Sequence, residues 1–137
     1  WGLAGLRLGM CFGSEEIIAI LNKIKYPYNV SINTQTLALQ AMENEATKDR
    51  WVKEILFQRE KLLAGLAGLG IVERIFPSDA NFVLVRVKDA PATYKYLTGK
   101  GIIVRDRSQV TLCDNCLRIT VGTPEENVKL LDTLKQL

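Results

Sequence analysis

The stretch Cys116-Leu117-Arg118-Ile119-Thr120-Val121-Gly122-Thr123-Pro124-Glu125-Glu126 contains the clearest strand and the clearest helix start of the sequence. Positions 117, 119 and 121 are apolar and alternate with other residues, which predicts a strand with one buried face. Thr123 and Glu126 have the spacing of a capping box, and proline suits the first helical position. An amphipathic helix is therefore predicted from this point, with apolar residues at 128, 131 and 134.

Similar signals extend upstream as far as Ile71. Strands are predicted over residues 71–76, 81–87 and 102–104, the last of them ended by Arg105. A helix is predicted around residues 91–98, between two strand segments and bounded by glycine. From residue 71 onward the order is strand, strand, helix, strand, strand, helix, which predicts an α/β sandwich with helices on one face of a sheet.

The first half of the chain is predicted to be mainly helical. Residues 6–12 predict a short buried strand, and Ser14 is placed to cap a helix that carries two glutamates in its first turn. Pro27 ends that helix. A second helix is predicted over residues 33–42, and the longest one over residues 47–69, with glycines at its end.

The composition excludes several classes of protein. The 137 residues contain no histidine, which excludes catalysis through a Ser-His-Asp or Cys-His arrangement and any metal site with histidine ligands. The net charge of +3, without a block of like charges, gives no indication of a nucleic-acid partner. No apolar run approaches the roughly 20 residues of a membrane helix, so neither a membrane nor a metal is expected.

The three cysteines point to a reducing compartment. An odd number argues against a secreted disulfide framework. Cys113 and Cys116 have CxxC spacing, but no second pair of ligands is present to complete a zinc site. A redox-active dithiol of the thioredoxin kind should begin a helix, whereas this pair leads into a predicted strand. We interpret the pair as reduced thiols at a strand entry, in a cytoplasmic protein.

Three arginines in apolar surroundings are the candidate functional residues. Arg7 lies in Gly5-Leu6-Arg7-Leu8-Gly9, Arg105 follows a predicted strand, and Arg118 lies between Leu117 and Ile119. A guanidinium group does not lose its charge on burial, so each of them needs an anion beside it. That anion is either a ligand or a neighbouring carboxylate in a structural ion pair, and the residues alone leave both open.

Several segments together resemble one enzyme family. Residues 1–9 resemble the segment that follows the cofactor lysine in pyridoxal-phosphate aminotransferases of the aspartate aminotransferase fold type. Gly101-Ile102-Ile103-Val104-Arg105-Asp106 and the stretch 116–123 resemble two C-terminal segments of the histidinol-phosphate aminotransferase branch. The resemblance includes Tyr26-Pro27-Tyr28-Asn29-Val30, which follows residues 1–9 and precedes these two segments. The resemblance covers essentially the whole chain.

The resemblance implies a fold, a domain division and roles for the arginines. The chain resembles the C-terminal portion of a fold type I enzyme: residues 1–43 from the large domain, a connecting helix over 44–70, and a small α/β domain over 71–137. Arg7 resembles the arginine that holds the phosphate of pyridoxal phosphate. Arg118 resembles the arginine that receives the anionic end of the substrate, and Arg105 resembles one that helps to hold a substrate phosphate.

The same resemblance implies a reaction and a homodimer. It implies transfer of an amino group between histidinol phosphate and 2-oxoglutarate, with the link 26–31 near the active site of a partner subunit. The lysine that forms the Schiff base would lie just upstream of Trp1, so no catalytic residue is expected in these 137 residues, which should be inactive alone. Apolar helix faces that normally pack on the missing sheet should then cause self-association.

Three alternatives stay open at this point. A threonine-phosphate decarboxylase has the same fold and also binds a phosphate ester, and an aromatic aminotransferase is a second enzyme of that fold. A different class is a free-standing α/β ligand-binding module that never had a large domain. Turnover of the two phosphorylated substrates would separate the enzymes, and an upstream Ser-Lys in the gene would exclude the module.

Overall fold

The computed structural model describes residues 1–28 and 30–137, and it divides into two compact units, 1–50 and 51–137. Position 29, which belongs to the predicted link 26–31, lies outside the described residues. The first unit is helical, and the second contains the sheet. None of the described helices is both long enough and apolar enough to cross a bilayer.

The first unit contains the predicted helices. Helix α1 spans Glu15–Ile24, and helix α2 spans Ile32–Met42. The hydroxyl of Ser14 accepts a hydrogen bond from the amide of Ile17 at 3.5 Å, and the hydroxyl of Ser31 accepts one from Thr34 at 3.1 Å. Both serines satisfy an amide that the first helical turn leaves free, so the predicted Ser14 cap is confirmed.

The prediction of a strand over residues 6–12 is wrong. A short 3-10 helix spans Ala4–Leu6, and the residues after it have no regular structure until α1. A strand is stabilised by hydrogen bonds to a neighbouring strand, and the described part of residues 1–50 contains none. Apolar residues in this segment are consequently exposed, Phe12 at 89% and Met10 at 80%.

Helix α3 spans Glu45–Ala67, close to the predicted 47–69, and buries Leu62 and Leu66 completely. It packs closely against the C-terminal helix α5, which spans Pro124–Leu134. A Cβ atom added at Gly65 would be 2.5 Å from one methyl of Leu131 and 2.9 Å from the other. Glycine at this position therefore permits the close approach of the two helices.

The sheet has four strands in the spatial order β1-β2-β4-β3, and all neighbours are antiparallel. The strands are β1 (Val72–Phe76), β2 (Phe82–Val87), β3 (Arg105–Asp106) and β4 (Cys116–Thr120), and helix α4 (Ala90–Gly99) lies between β2 and β3 in the chain. The buried residues of the strands and of α3, α4 and α5 form one core. The predicted α/β order with helices on one face of the sheet is confirmed.

The third predicted strand is displaced. Residues 102–104 are not in the sheet, and β3 begins rather than ends at Arg105. The amides of Gly101 and Ile102 donate to carbonyl oxygens of the last turn of α4, at 3.0 and 2.9 Å. These hydrogen bonds hold residues 101 and 102 at the end of α4, so the chain begins to pair with β4 only at residue 105.

The predicted capping box begins α5. The Thr123 hydroxyl accepts from the amide of Glu126, and the Glu126 carboxylate accepts from the amide of Thr123 at 2.8 Å. One turn further, the buried side chain of Asn127 donates to the carbonyl of Gly122 and accepts from its amide, both at 3.0 Å. These bonds fix the start of α5 to the end of β4.

Candidate functional site

Two of the predicted arginines lie opposite each other on neighbouring strands. The antiparallel register of β3 and β4 pairs Arg105 with Arg118. Directly opposed residues have Cβ atoms about 4.5–5.5 Å apart and project from the same face of a sheet. The structure therefore brings these two predicted site residues together.

The arginine pair lies on the face of the sheet that the helices do not cover. Leu117 and Ile119 are 1% and 2% exposed and belong to the core, whereas Arg118 between them is half-buried and Thr120 is exposed. Successive residues of a strand point to opposite faces. The orientation predicted for Arg118 from the apolar alternation is thus confirmed.

The side chain of Arg118 has one unsatisfied donor. Its guanidinium carbon lies 5.0 Å from the centroid of the Phe82 ring, and its Nε is buried without a hydrogen-bond partner among the described residues. A buried donor without a partner costs about 1–3 kcal/mol, and more when the group is charged. The described residues thus leave part of the Arg118 guanidinium unsatisfied.

The described carboxylates do not neutralise the pair. The ion pairs found in residues 1–28 and 30–137 join Lys48 to Glu45 and Asp49, and Lys135 to Asp132. Asp106, the neighbour of Arg105, instead accepts a hydrogen bond from the amide of Ser108 at 2.8 Å. Like charges directly opposite each other destabilise a sheet. Of the two possibilities that the sequence left open, the geometry favours an external anion over a structural ion pair.

Open space adjoins Arg105 at the edge strand. A surface pocket of about 540 Å³ is lined by Tyr94 and residues 103–107, which include Arg105. Arg105 itself is exposed, while Arg118 is half-buried. The pocket therefore gives a ligand access to Arg105 at the β3 edge.

Arg7 belongs to the first unit and has a different setting. It follows the 3-10 helix in the left-handed conformation, with φ of +53°, and is exposed. Cβ atoms added at Gly5 and Gly9 would meet nothing within 4 Å. No described carboxylate forms an ion pair with Arg7, so its guanidinium is free to bind an anion.

Sequence reasoning missed two further arginines on the same face. Arg74 on β1 pairs with Arg86 on β2, which in turn pairs with Cys116 on β4. The Arg86 guanidinium donates to the carbonyls of Asp114 at 3.0 Å and Leu112 at 3.4 Å. The alternation of buried valines along β2 is the signal that could have placed Arg86 opposite the core.

The cysteine pair occupies the entry to β4, as its sequence context predicts. All three cysteines are free, and Cys116 is fully buried as the first residue of the strand. Burial raises the pKa of the Cys116 thiol, and the nearby Arg86 guanidinium opposes that rise. Within the part of the chain that the structure describes, no group of three or more Cys, Asp or Glu side chains is placed to hold a metal ion.

The sequence matches one family over nearly its whole length. Residues 1–134 match the family model for aminotransferase class I and II. A curated relative, the histidinol-phosphate aminotransferase of Parabacteroides distasonis, is 53% identical over 137 residues, which are all of this chain and 40% of that protein. The chain thus spans about two fifths of the length of the curated relatives it matches.

Two solved structures have the same fold. The histidinol-phosphate aminotransferase of Clostridium acetobutylicum aligns with a TM-score of 0.80 at 24% identity, covering 89% of this chain and 37% of that one. The L-threonine-O-3-phosphate decarboxylase of Porphyromonas gingivalis aligns with a TM-score of 0.79 at 23% identity, covering 99% and 43%. At these identities the likeness concerns the fold alone, and the fold is common to both activities.

Proposed function

This chain belongs to the aminotransferase class I and II family, and on that premise we propose that the whole protein is a histidinol-phosphate aminotransferase. It transfers an amino group between histidinol phosphate and 2-oxoglutarate, with pyridoxal phosphate as cofactor, in histidine biosynthesis. Identities of 50–53% to curated relatives of that name support the proposal. Its main structural support is the pairing of Arg105 with Arg118.

Two opposed guanidinium groups suit a phosphate monoester better than a carboxylate. At neutral pH a phosphate monoester carries close to two negative charges and three acceptor oxygens, whereas a carboxylate carries one charge. Each guanidinium can donate two parallel hydrogen bonds to such a group. We propose that Arg118, half-buried on the uncovered face of the sheet, binds the substrate phosphate and that Arg105 completes its neutralisation from the edge strand.

Arg7 suits the phosphate of the cofactor. It is exposed, has no described ion-pair partner and lies between glycines whose Cα atoms face open space. We propose that Arg7 holds the phosphate of pyridoxal phosphate, which when bound supplies the electron-withdrawing ring that amino-group transfer needs. The lysine that binds this cofactor is proposed to precede Trp1 in the whole protein, and the 137 residues alone should be inactive.

We propose that the whole protein is a cytoplasmic homodimer. Within each subunit, residues 1–43 are proposed to belong to the large domain, residues 44–70 to the connecting helix and residues 71–137 to the small domain. Tyr26 and Tyr28 of the link are 84% and 85% exposed, which leaves them available to a partner subunit. The free thiols agree with a reducing compartment.

The test is the activity of the full-length protein with three variants. Arg118→Ala should lower kcat/KM for histidinol phosphate by roughly 10- to 150-fold, the value of a charged hydrogen bond. Arg118→Lys should recover part of that loss, because it keeps the charge without the paired donors. Arg74→Ala is the matched control, since it removes an arginine from the same face without removing the proposed phosphate contact.

Two results would contradict the proposal. Equal losses of kcat/KM in Arg118→Ala and Arg74→Ala would mean that the total positive charge of this face determines activity and that the specific pair of Arg105 and Arg118 does not. Decarboxylation of threonine phosphate without amino transfer from histidinol phosphate would select the decarboxylase that has the same fold. Separately, borohydride reduction of the 137-residue chain with pyridoxal phosphate should leave no specific cofactor adduct by intact mass.

A further inference from the structure

A tight turn brings the two cysteines of the CxxC motif together. The amide of Cys116 donates to the carbonyl oxygen of Cys113 at 2.9 Å, which makes residues 113–116 a β-turn. Asn115, its third residue, has a φ of +53°, as a type II turn requires. The ends of a β-turn have Cα atoms less than about 7 Å apart, and disulfides join Cα atoms about 4.4–6.8 Å apart.

The main chain holds both cysteines in this position. The amide of Cys113 donates to the carbonyl of Val110 at 2.9 Å, and the carbonyl of Cys116 accepts from Arg107 at 2.8 Å. The Arg86 guanidinium fixes the residue between them through the carbonyl of Asp114. The turn is therefore formed before any bond between the sulfurs, and little chain entropy opposes that bond.

The two thiols differ in access to solvent. Cys116 is fully buried, whereas Cys113 is half-buried. Burial raises the pKa of the Cys116 thiol, so Cys116 is less readily ionised than an ordinary thiol for attack on an external oxidant. An oxidant in solution will therefore meet Cys113 first, with Cys116 behind it.

We propose that Cys113 and Cys116 are a redox-modification site that forms a reversible intramolecular disulfide with a small-molecule disulfide such as oxidised glutathione. The thiolate of Cys113 attacks one sulfur of the oxidant, and the first small thiol leaves. The thiolate of Cys116 then attacks the Cys113 sulfur, and the second small thiol leaves. The two cysteine protons end on the two released thiols, and the two electrons given up by the cysteine pair reduce the oxidant.

The CxxC turn contains neither residue of the arginine pair nor Arg7, so its chemistry is independent of the proposed function. The turn and the burial difference between the two thiols are present whatever reaction the protein catalyses. Cys11 is exposed and lies in the first unit, where it would itself react with the oxidant, so the test removes it.

The experiment treats the full-length protein, in which serine replaces every cysteine except Cys113 and Cys116, with oxidised glutathione, quenches it in acid and measures the mass of the proteolytic peptide that contains both cysteines. The expected product is lighter by two hydrogen atoms, carries no glutathione and returns to the starting mass with dithiothreitol. A stable glutathione adduct, a covalent dimer or an unchanged mass would each overturn the proposal.

Two single variants on the same background test the order of attack. Cys116→Ser should trap one glutathione on Cys113, because the resolving thiol is gone. Cys113→Ser should take up at least tenfold less glutathione than Cys116→Ser in the same time, because Cys116 is buried. In urea both variants should react alike, which verifies that the difference belongs to the fold. Equal uptake by the two folded variants would overturn the assigned order.

Discussion

The guanidinium carbon of Arg118 lies 5.0 Å from the centroid of the Phe82 ring, one strand away. Phe82 pairs with Thr120, two residues along β4, so its ring projects from the same face as the arginine. The flat guanidinium can face the ring with its π surface and still use its edges as hydrogen-bond donors. Phe82 is therefore a positioning residue for the proposed phosphate site.

Substitution of Phe82 by leucine should weaken substrate binding without removing a contact to the substrate. A cation–π interaction contributes about 0.5–2 kcal/mol, so we expect KM for the phosphorylated substrate of the full-length protein to rise about two- to thirtyfold. The value of kcat should change less. Phe76→Leu is the matched control, because that ring contacts Arg74 and Arg86 instead. Equal effects of the two substitutions would contradict the positioning role.

Gly65→Val should destabilise the second unit. The added side chain would displace Leu131 of α5, and overpacking of this kind costs about 1–3 kcal/mol. Urea unfolding measures the loss. Ala64→Val on the adjacent, exposed position of α3 is the control for a valine without overpacking, and it should cost only the roughly half a kcal/mol of helix propensity that valine loses against alanine. Indistinguishable midpoints for the two variants would show that α3 and α5 separate easily.

The fold could be predicted wherever its signals are local. The capping box at Thr123 and the serine cap at Ser14 use side chains three residues from the amides they bind, and both predictions are confirmed. The strand over residues 6–12 and the bounds of β3 depended on partners elsewhere in the chain. Apolar residues alone cannot show whether a neighbouring strand is available or whether the main chain is already bonded to a helix end.

The site could be predicted only in part, because it too depends on contacts between residues that are far apart in the chain. The alternation around Arg118 gives its face of the sheet, and the structure confirms it. The register that places Arg105 opposite Arg118 is a long-range property that no spacing in the sequence contains. Arg86 alternates with buried valines just as clearly, so its face of the sheet could have been predicted. Its contacts with carbonyls of the 112–114 loop are long-range and could not be predicted.

The stability of the second unit should fall at alkaline pH through Cys116. Burial raises the pKa of this thiol above its ordinary value of 9.0, so the folded state binds a proton that the unfolded state releases. Its contribution is complete below pH 9 and is lost as the pH rises through the folded pKa. Urea unfolding under reducing conditions from pH 8 to 10.5 measures this. Cys116→Ala should flatten the profile, whereas Cys11→Ala should leave it unchanged.

The isolated 137-residue chain should self-associate through its first unit. Along one side of α1, Ile17, Ile20 and Ile24 are 53%, 59% and 74% exposed. An exposed apolar patch of this kind favours association in water, and each side chain that is buried contributes about 1.5–3 kcal/mol. Sedimentation velocity at increasing concentration should show species larger than 15.3 kDa. The double substitution Ile20→Lys and Ile24→Lys should shift the chain toward monomer, whereas Glu15→Lys and Glu16→Lys at the polar start of the same helix should not. A clean monomer of the unsubstituted chain would contradict the prediction.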